Sequence, residues 1–196
     1  MLNGLRALRM GGREVLPLVE GGKGVAATNH KSSGAWAATG GVGTISAVNA
    51  DSYDAEGKII RQVYEQMTRR ERHEQLIQYG IDGGVQQVRR AYEMAEGTLS
   101  KGIGAINVNV LWEMGGAQQV LVGVLEGAKG LVNGVTCGAG MPYKLSELAA
   151  HHQVFYYPII SSARAFRALW KRAYSKESAW LGGVVYEDPW LAGGHN

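Results

Sequence analysis

The sequence predicts an α/β chain whose parallel strands are joined by helices, and three observations point there. Short apolar runs alternate with helical patterns along the chain. The runs are apolar at successive positions, as in strands buried on both faces. Glycine supplies 29 of the 196 residues, about twice ordinary usage, and many of these glycines cluster where the runs end.

The elements follow in order. Val15-Leu16-Pro17-Leu18-Val19 reads as a first strand, and a helical stretch covers Ser32 to Thr39. Gly43-Thr44-Ile45-Ser46-Ala47 is a second strand. A long polar excursion follows from Asn49 to Gly84, with a helical pattern at Ile59, Ile60, Val63 and Met67. Val85, Val88, Tyr92, Ala95 and Leu99 then recur at steps of three and four, one face of an amphipathic helix.

Ala105–Val110 is the third strand, Met114–Ala128 a helix, and Leu131–Val135 the fourth strand. A short helix covers Leu145 to His151, and Val154–Ile160 is the fifth strand. Ala163, Phe166, Trp170 and Ala173 form one helical stripe, and Leu181–Tyr186 is the sixth strand.

Repeated β-then-α units imply parallel strands with right-handed crossovers. Two architectures satisfy this, a doubly wound open sheet and a (β/α)8 barrel of TIM type. No G-x-G-x-x-G follows the first strand, which weakens the dinucleotide-binding alternative. A barrel needs roughly 250 residues. Six strands therefore imply an incomplete barrel, in which residues 1–196 form one domain lacking the last strands.

Composition narrows the function classes. Apolar residues make up 45% and charged residues 19%, a globular balance. The net charge of +3 is small and scattered, which argues against nucleic acid. The dense run Arg69-Arg70-Glu71-Arg72-His73-Glu74 mixes signs and reads as a solvated helix face. No apolar stretch is long enough to cross a bilayer, and the first residues lack a secretory core. The single cysteine, Cys137, excludes an internal disulfide and suits a reducing, cytoplasmic setting. Cys137 itself reads as packing. Adjacent His151 and His152 point apart on a helix, and no histidine has ligand spacing for a metal.

The chemistry gathers around the glycine-rich turns. Leu16–Val25 is an apolar strand running into Gly21-Gly22-Lys23-Gly24, and Ala35–Ile45 carries Gly40-Gly41-Val42-Gly43 into the next strand. Asn107 and Asn109 are two apart and so share one strand face. Gly138-Ala139-Gly140-Met141-Pro142 follows the fourth strand, Ser161-Ser162-Ala163 the fifth, and Ala192-Gly193-Gly194-His195 the sixth. Glycine there allows sharp turns and close ligand approach. An imidazole with an ordinary pKa near 6.5 suits proton transfer at neutral pH. The plainer reading of Ala-Gly-Gly-His is a loop with a surface histidine.

These segments, in this order, resemble the nitronate monooxygenase (2-nitropropane dioxygenase-like) family. The resemblance implies a TIM barrel, an FMN cofactor and oxidation of alkyl nitronates or nitroalkanes by molecular oxygen. His195 would be catalytic, holding the nitro group or removing an α-proton. Gly21, Gly22, Asn107, Asn109, Gly138, Ser161, Gly193 and Gly194 would line the cofactor, while loops after strands seven and eight, beyond Asn196, would hold its phosphate. A flavin-dependent enoyl-acyl-carrier-protein reductase has a similar barrel and the same Gly-Gly-His feature. In a third reading the chain is a non-catalytic barrel fragment whose unpaired strand edges drive homo-oligomer formation. A small-molecule substrate is expected, with no nucleic acid, membrane or metal partner.

Overall fold

A computed structural model of the chain describes residues 4–25, 27–63 and 67–191. It opens with an antiparallel hairpin, β1 (Leu8–Met10) and β2 (Arg13–Val15). Gly11 and Gly12 form its turn with φ of 55° and 75°, the doubly left-handed geometry that two-residue hairpins demand. The chain then alternates α1 (His30–Ala38), β3 (Val42–Ser46), α2 (Arg69–Leu99), β4 (Ala105–Leu111), α3 (Ala117–Gly127) and β5 (Gly134–Gly138). It continues through α4 (Leu145–His151), β6 (Phe155–Ile160), α5 (Ala163–Leu169) and β7 (Val185–Tyr186).

Strands β3 to β7 form one parallel sheet in strict sequence order. Residues 16–20 run alongside β3 as a sixth stave: Val19 bridges Val42 in parallel, the Val42 N–H donates to the Leu18 carbonyl, and the Glu20 N–H donates to the Val42 carbonyl. A doubly wound sheet reverses its order at a switch point. Here every crossover advances to the next neighbour, which is the winding of a (β/α)8 barrel, present as an incomplete set of staves. On the far side of β7 no strand pairs among the described residues.

Strand parity divides the sheet. Ile45, Ile106, Val108, Val135, Cys137 and Tyr156 face outward, into one core shared with the helices. Helices α2 and α3 pack where glycines on them, and Gly116 just before α3, accept β-branched side chains of the other helix. Ile77, Ile81 and Val85 press on Gly116, Gly123 and Gly127, while Val120 and Val124 press on Gly80 and Gly84.

The hairpin plugs the opposite end from the candidate site. Arg13 donates to the carbonyls of Leu99, Ile103 and Gly104, which lead into β4. Gly11 sits against the rings of Phe155 and Tyr157.

Several expectations shift. The first strand splits at Pro17: Val15 ends the hairpin, and the Leu18 N–H turns back to the Leu16 carbonyl at 2.7 Å, a tight three-residue turn. The helical pattern at Ile59, Ile60, Val63 and Met67 is not a helix in its described part. Residues 51–60 instead form an extended excursion with an antiparallel Tyr53–Ile59 bridge, tied to α2 by Gln86 and Gln87. Helix α2 begins at Arg69, capped by Thr68 and Glu71 in a reciprocal box, so the mixed-charge run is its exposed first turns. Arg70 and Glu74 pair there at 2.8 Å.

The fourth strand lies three residues later than expected. Asn133 Oδ1 accepts from the Ile106 N–H at 2.8 Å, and Leu131 is still held in the turn after α3. The sixth strand keeps only β7 and a Tyr156–Leu181 bridge, since Gly182 lies against the Tyr157 ring. Beyond Leu169 the helix loosens into a π-turn, which leaves Trp170 outside the core at 37% exposure while Tyr174 is buried. His151 and His152 do not point apart: His152 has left the helix, and their rings meet edge to face at 5.0 Å.

Gly123→Ala would set a Cβ 2.6 Å from Ile81 Cδ1. Overpacking of this kind lowers unfolding free energy by about 1–3 kcal/mol, which urea denaturation will read.

Candidate functional site

The concave side of the sheet carries polar residues where the outer side carries apolar ones. Register pairs Thr44 with Asn107, Ser46 with Asn109, and Asn109 with Thr136. Paired residues of a parallel sheet share a face, so these five side chains all turn inward. All five are buried. Three of the atoms have no hydrogen-bond partner: Thr44 Oγ1, Asn109 Oδ1 and Thr136 Oγ1. A buried polar atom left unpaired costs about 1–3 kcal/mol. Three on adjacent strands of one concave face mark the candidate site.

Of the described candidates, Gly21, Gly22, Asn109, Gly138 and Ser161 lie towards the C-terminal ends of the staves, where barrel enzymes work. Gly22 rests directly against the Asn109 side chain. Asn107 sits one register step deeper than Asn109. Gly138, paired with Leu111, ends β5 one step above Thr136. Ser161 follows β6 and borders a cavity of about 180 Å³ with Ala139, Gly140, Met141 and Ile159. His195, Gly193 and Gly194 lie outside the described residues.

The glycines need a correction. Close ligand approach was expected to explain them, but the protein's own side chains fill two of the gaps. Asn109 occupies the space beside Gly22, and Ile159 Cβ lies 3.0 Å from where a Cβ on Gly138 would fall. Gly21 alone of the three faces open space.

A buried carboxylate holds the first glycine turn in place. Glu20 Oε2 accepts from the Ser33 hydroxyl at 2.8 Å and from the Thr44 N–H at 2.9 Å. It thereby ties the end of the 16–20 stave to α1 and β3, one residue before Gly21. Sequence reasoning passed over Glu20 because a single acidic residue beside a glycine turn looks like solvent-exposed polarity. Thr136 was missed for another reason, as the expected fourth strand stopped short of it.

Two further loops on this face store strain. Val25 and Ala139 adopt left-handed backbone at φ of 55° and 56°, unfavourable for residues with a Cβ. Cys137, by contrast, faces the outer core, and burial pushes its thiol up to about 12. It is packing.

A concavity of about 650 Å³ is an outer groove between α2, α3 and α4, lined by Ile81, Trp112, Gly123 and Leu148. It does not touch the polar inner face, and the unpaired atoms there are the stronger marker. An amide oxygen beside a hydroxyl suits a ring edge that presents both N–H and C=O groups, so the residues present fit the pyrimidine edge of a flavin.

Solved structures similar to this chain include FabK from Thermotoga maritima, at 18% identity and a TM-score of 0.48. A mutant of that FabK matches at 18% identity and 0.49. These matches cover 87% of this chain but only 40% and 42% of the FabK chains. The chain thus spans about two-fifths of the length of the solved structures it matches. No family model and no curated protein matches the sequence. Among the described residues no helix is long and apolar enough to cross a membrane.

Two outcomes follow from this geometry. Glu20→Ala leaves the Thr44 N–H and the Ser33 hydroxyl without their acceptor and lowers stability by about 3 kcal/mol, measurable by thermal or urea unfolding. Cys137, the only thiol, resists maleimide at mildly alkaline pH in the folded chain and reacts once denaturant exposes it. Mass spectrometry distinguishes the two states.

Proposed function

We propose that this chain forms the flavin-holding part of a (β/α)8-barrel oxidoreductase that acts on a small-molecule substrate. The observation that carries the reading is the inward row of buried, unpartnered polar atoms beside the Gly21–Gly22 turn. The segment-by-segment resemblance to the nitronate monooxygenase family supports FMN as the cofactor. Bound there, it would supply the redox chemistry, while the protein supplies position and electrostatics.

The chain's own contribution is orientation and exclusion of water. Asn109 offers an amide to the ring edge, with Asn107 beneath it and Gly21 leaving room above. Glu20 keeps the glycine turn seated on Asn109. His195, by the family resemblance, would be the proton-handling group over the ring.

Two activities fit this frame: oxidation of alkyl nitronates with molecular oxygen, and reduction of an enoyl thioester with a nicotinamide donor. Anaerobic addition of NADH or NADPH, and separately of a nitronate, to the FMN-loaded chain tells them apart by which one bleaches the flavin. Self-association remains the competing reading of another class, because Val185 and Tyr186 of β7, and Val184 before it, are exposed beside an edge that no strand pairs among the described residues.

The test is a titration of the purified chain with FMN, followed by flavin fluorescence. Binding is expected, and Asn109→Ala should weaken it about tenfold, the worth of one good hydrogen bond. A chain that takes up no FMN and forms concentration-dependent oligomers overturns the proposal.

A further inference from the structure

We infer that Thr136 is a second ligand-reading residue, donating from its hydroxyl to a ring carbonyl beside the group held by Asn109. The inference rests on the flavin reading above and adds a residue that neither motif nor resemblance marks.

Thr136 sits at the centre of β5, where parity turns Val135 and Cys137 outward and Thr136 inward. Its hydroxyl is buried and makes no hydrogen bond. That is unusual for threonine, whose hydroxyl rotates freely to find a donor or an acceptor. Asn109 lies alongside it on β4 and Tyr157 on β6, yet neither is bonded to it in the structure. Glycines lie one register step below and above, at Gly134 and Gly138, so nothing from its own strand covers it.

Asn109, its partner on β4, likewise keeps Oδ1 unpaired. Adjacent strands stand about 4.8 Å apart. The two side chains therefore present an acceptor and a rotatable donor side by side. The chemical complement is an imide edge, an N–H flanked by carbonyls: Asn109 accepts from the N–H and Thr136 donates to a neighbouring carbonyl. Flavin carries that edge on its pyrimidine ring. Thr44 Oγ1, the third unpaired atom, belongs to the deeper row with Asn107 and lies further from the Gly21–Gly22 turn, so it is not assigned this contact.

The test exploits a difference in sign. Thr136→Val keeps the shape of the side chain and deletes the hydroxyl. Without ligand, the variant loses only an unpaired buried group, so its melting temperature should equal or exceed that of the parent. With FMN, it loses a hydrogen bond, so the dissociation constant should rise about tenfold. Thr136→Ser, which keeps the hydroxyl, should restore affinity.

A Thr136→Val chain that melts lower without ligand overturns the inference, because the hydroxyl then has a partner within the protein. A parent that binds FMN while Thr136→Val binds equally well sinks the role of Thr136 and leaves the flavin reading standing. A parent that binds no FMN removes both.

Discussion

The register of β4 between its neighbours is the constraint on which the remaining structure depends. Because Ser46 stands opposite Asn109 and Asn109 opposite Thr136, the inward parity of three strands carries the polar residues, together with Val42 and Ala105, and the outward parity carries the main apolar core. Outward residues bury themselves under α2, α3 and α4. Inward residues are left facing one another with unmet hydrogen-bonding capacity. A slip of one residue would reverse both faces, placing amides under the helices and isoleucine in the barrel. Stability and site are therefore set by the same pairing. Asn133 helps to fix it from outside the strand: its Oδ1 accepts from the Ile106 N–H, and its own N–H donates to the Ile106 carbonyl.

Much of the architecture was legible in the sequence. The second and third strands and the Leu145–His151 helix lie within a residue of their observed places, since their ends coincide with glycine turns or a clean change of period. Errors arose where local signals conflicted with tertiary ones. Leu131 and Val132 look like strand residues, yet Gly130 at φ of 81° and the turn after α3 hold them out of the sheet. That three-residue displacement hid Thr136. Ile59 and Ile60 belong to a helical spacing but are held extended by pairing with Tyr53 and Ser52, a stretch that Gln86 and Gln87 fasten to α2, which no local pattern encodes.

The site was half legible. Asn107 and Asn109 could be read because spacing by two reports a shared face directly. Glu20 could not, because its meaning depends on Ser33 and Thr44, which are remote in sequence. The glycines were recognised as important for a reason only partly right. At Gly22 and Gly138 the missing side chain makes room for Asn109 and Ile159. They are packing glycines in a functional neighbourhood, and their presence alone says little about a ligand.

One aromatic ring links distant parts of the molecule. Tyr157 fills the space that side chains on Gly11, Gly134 and Gly182 would need, and so joins the amino-terminal hairpin, the middle of the sheet and the approach to β7. Closing so long a loop carries an entropic penalty that local contacts cannot offset early. The hairpin can dock through Arg13 on the turn that leads into β4, but it gains the Phe155 and Tyr157 rings only when β6 is in place. The floor of the barrel therefore completes its packing late, and the polar cup above it gains its full rigid base only at that stage.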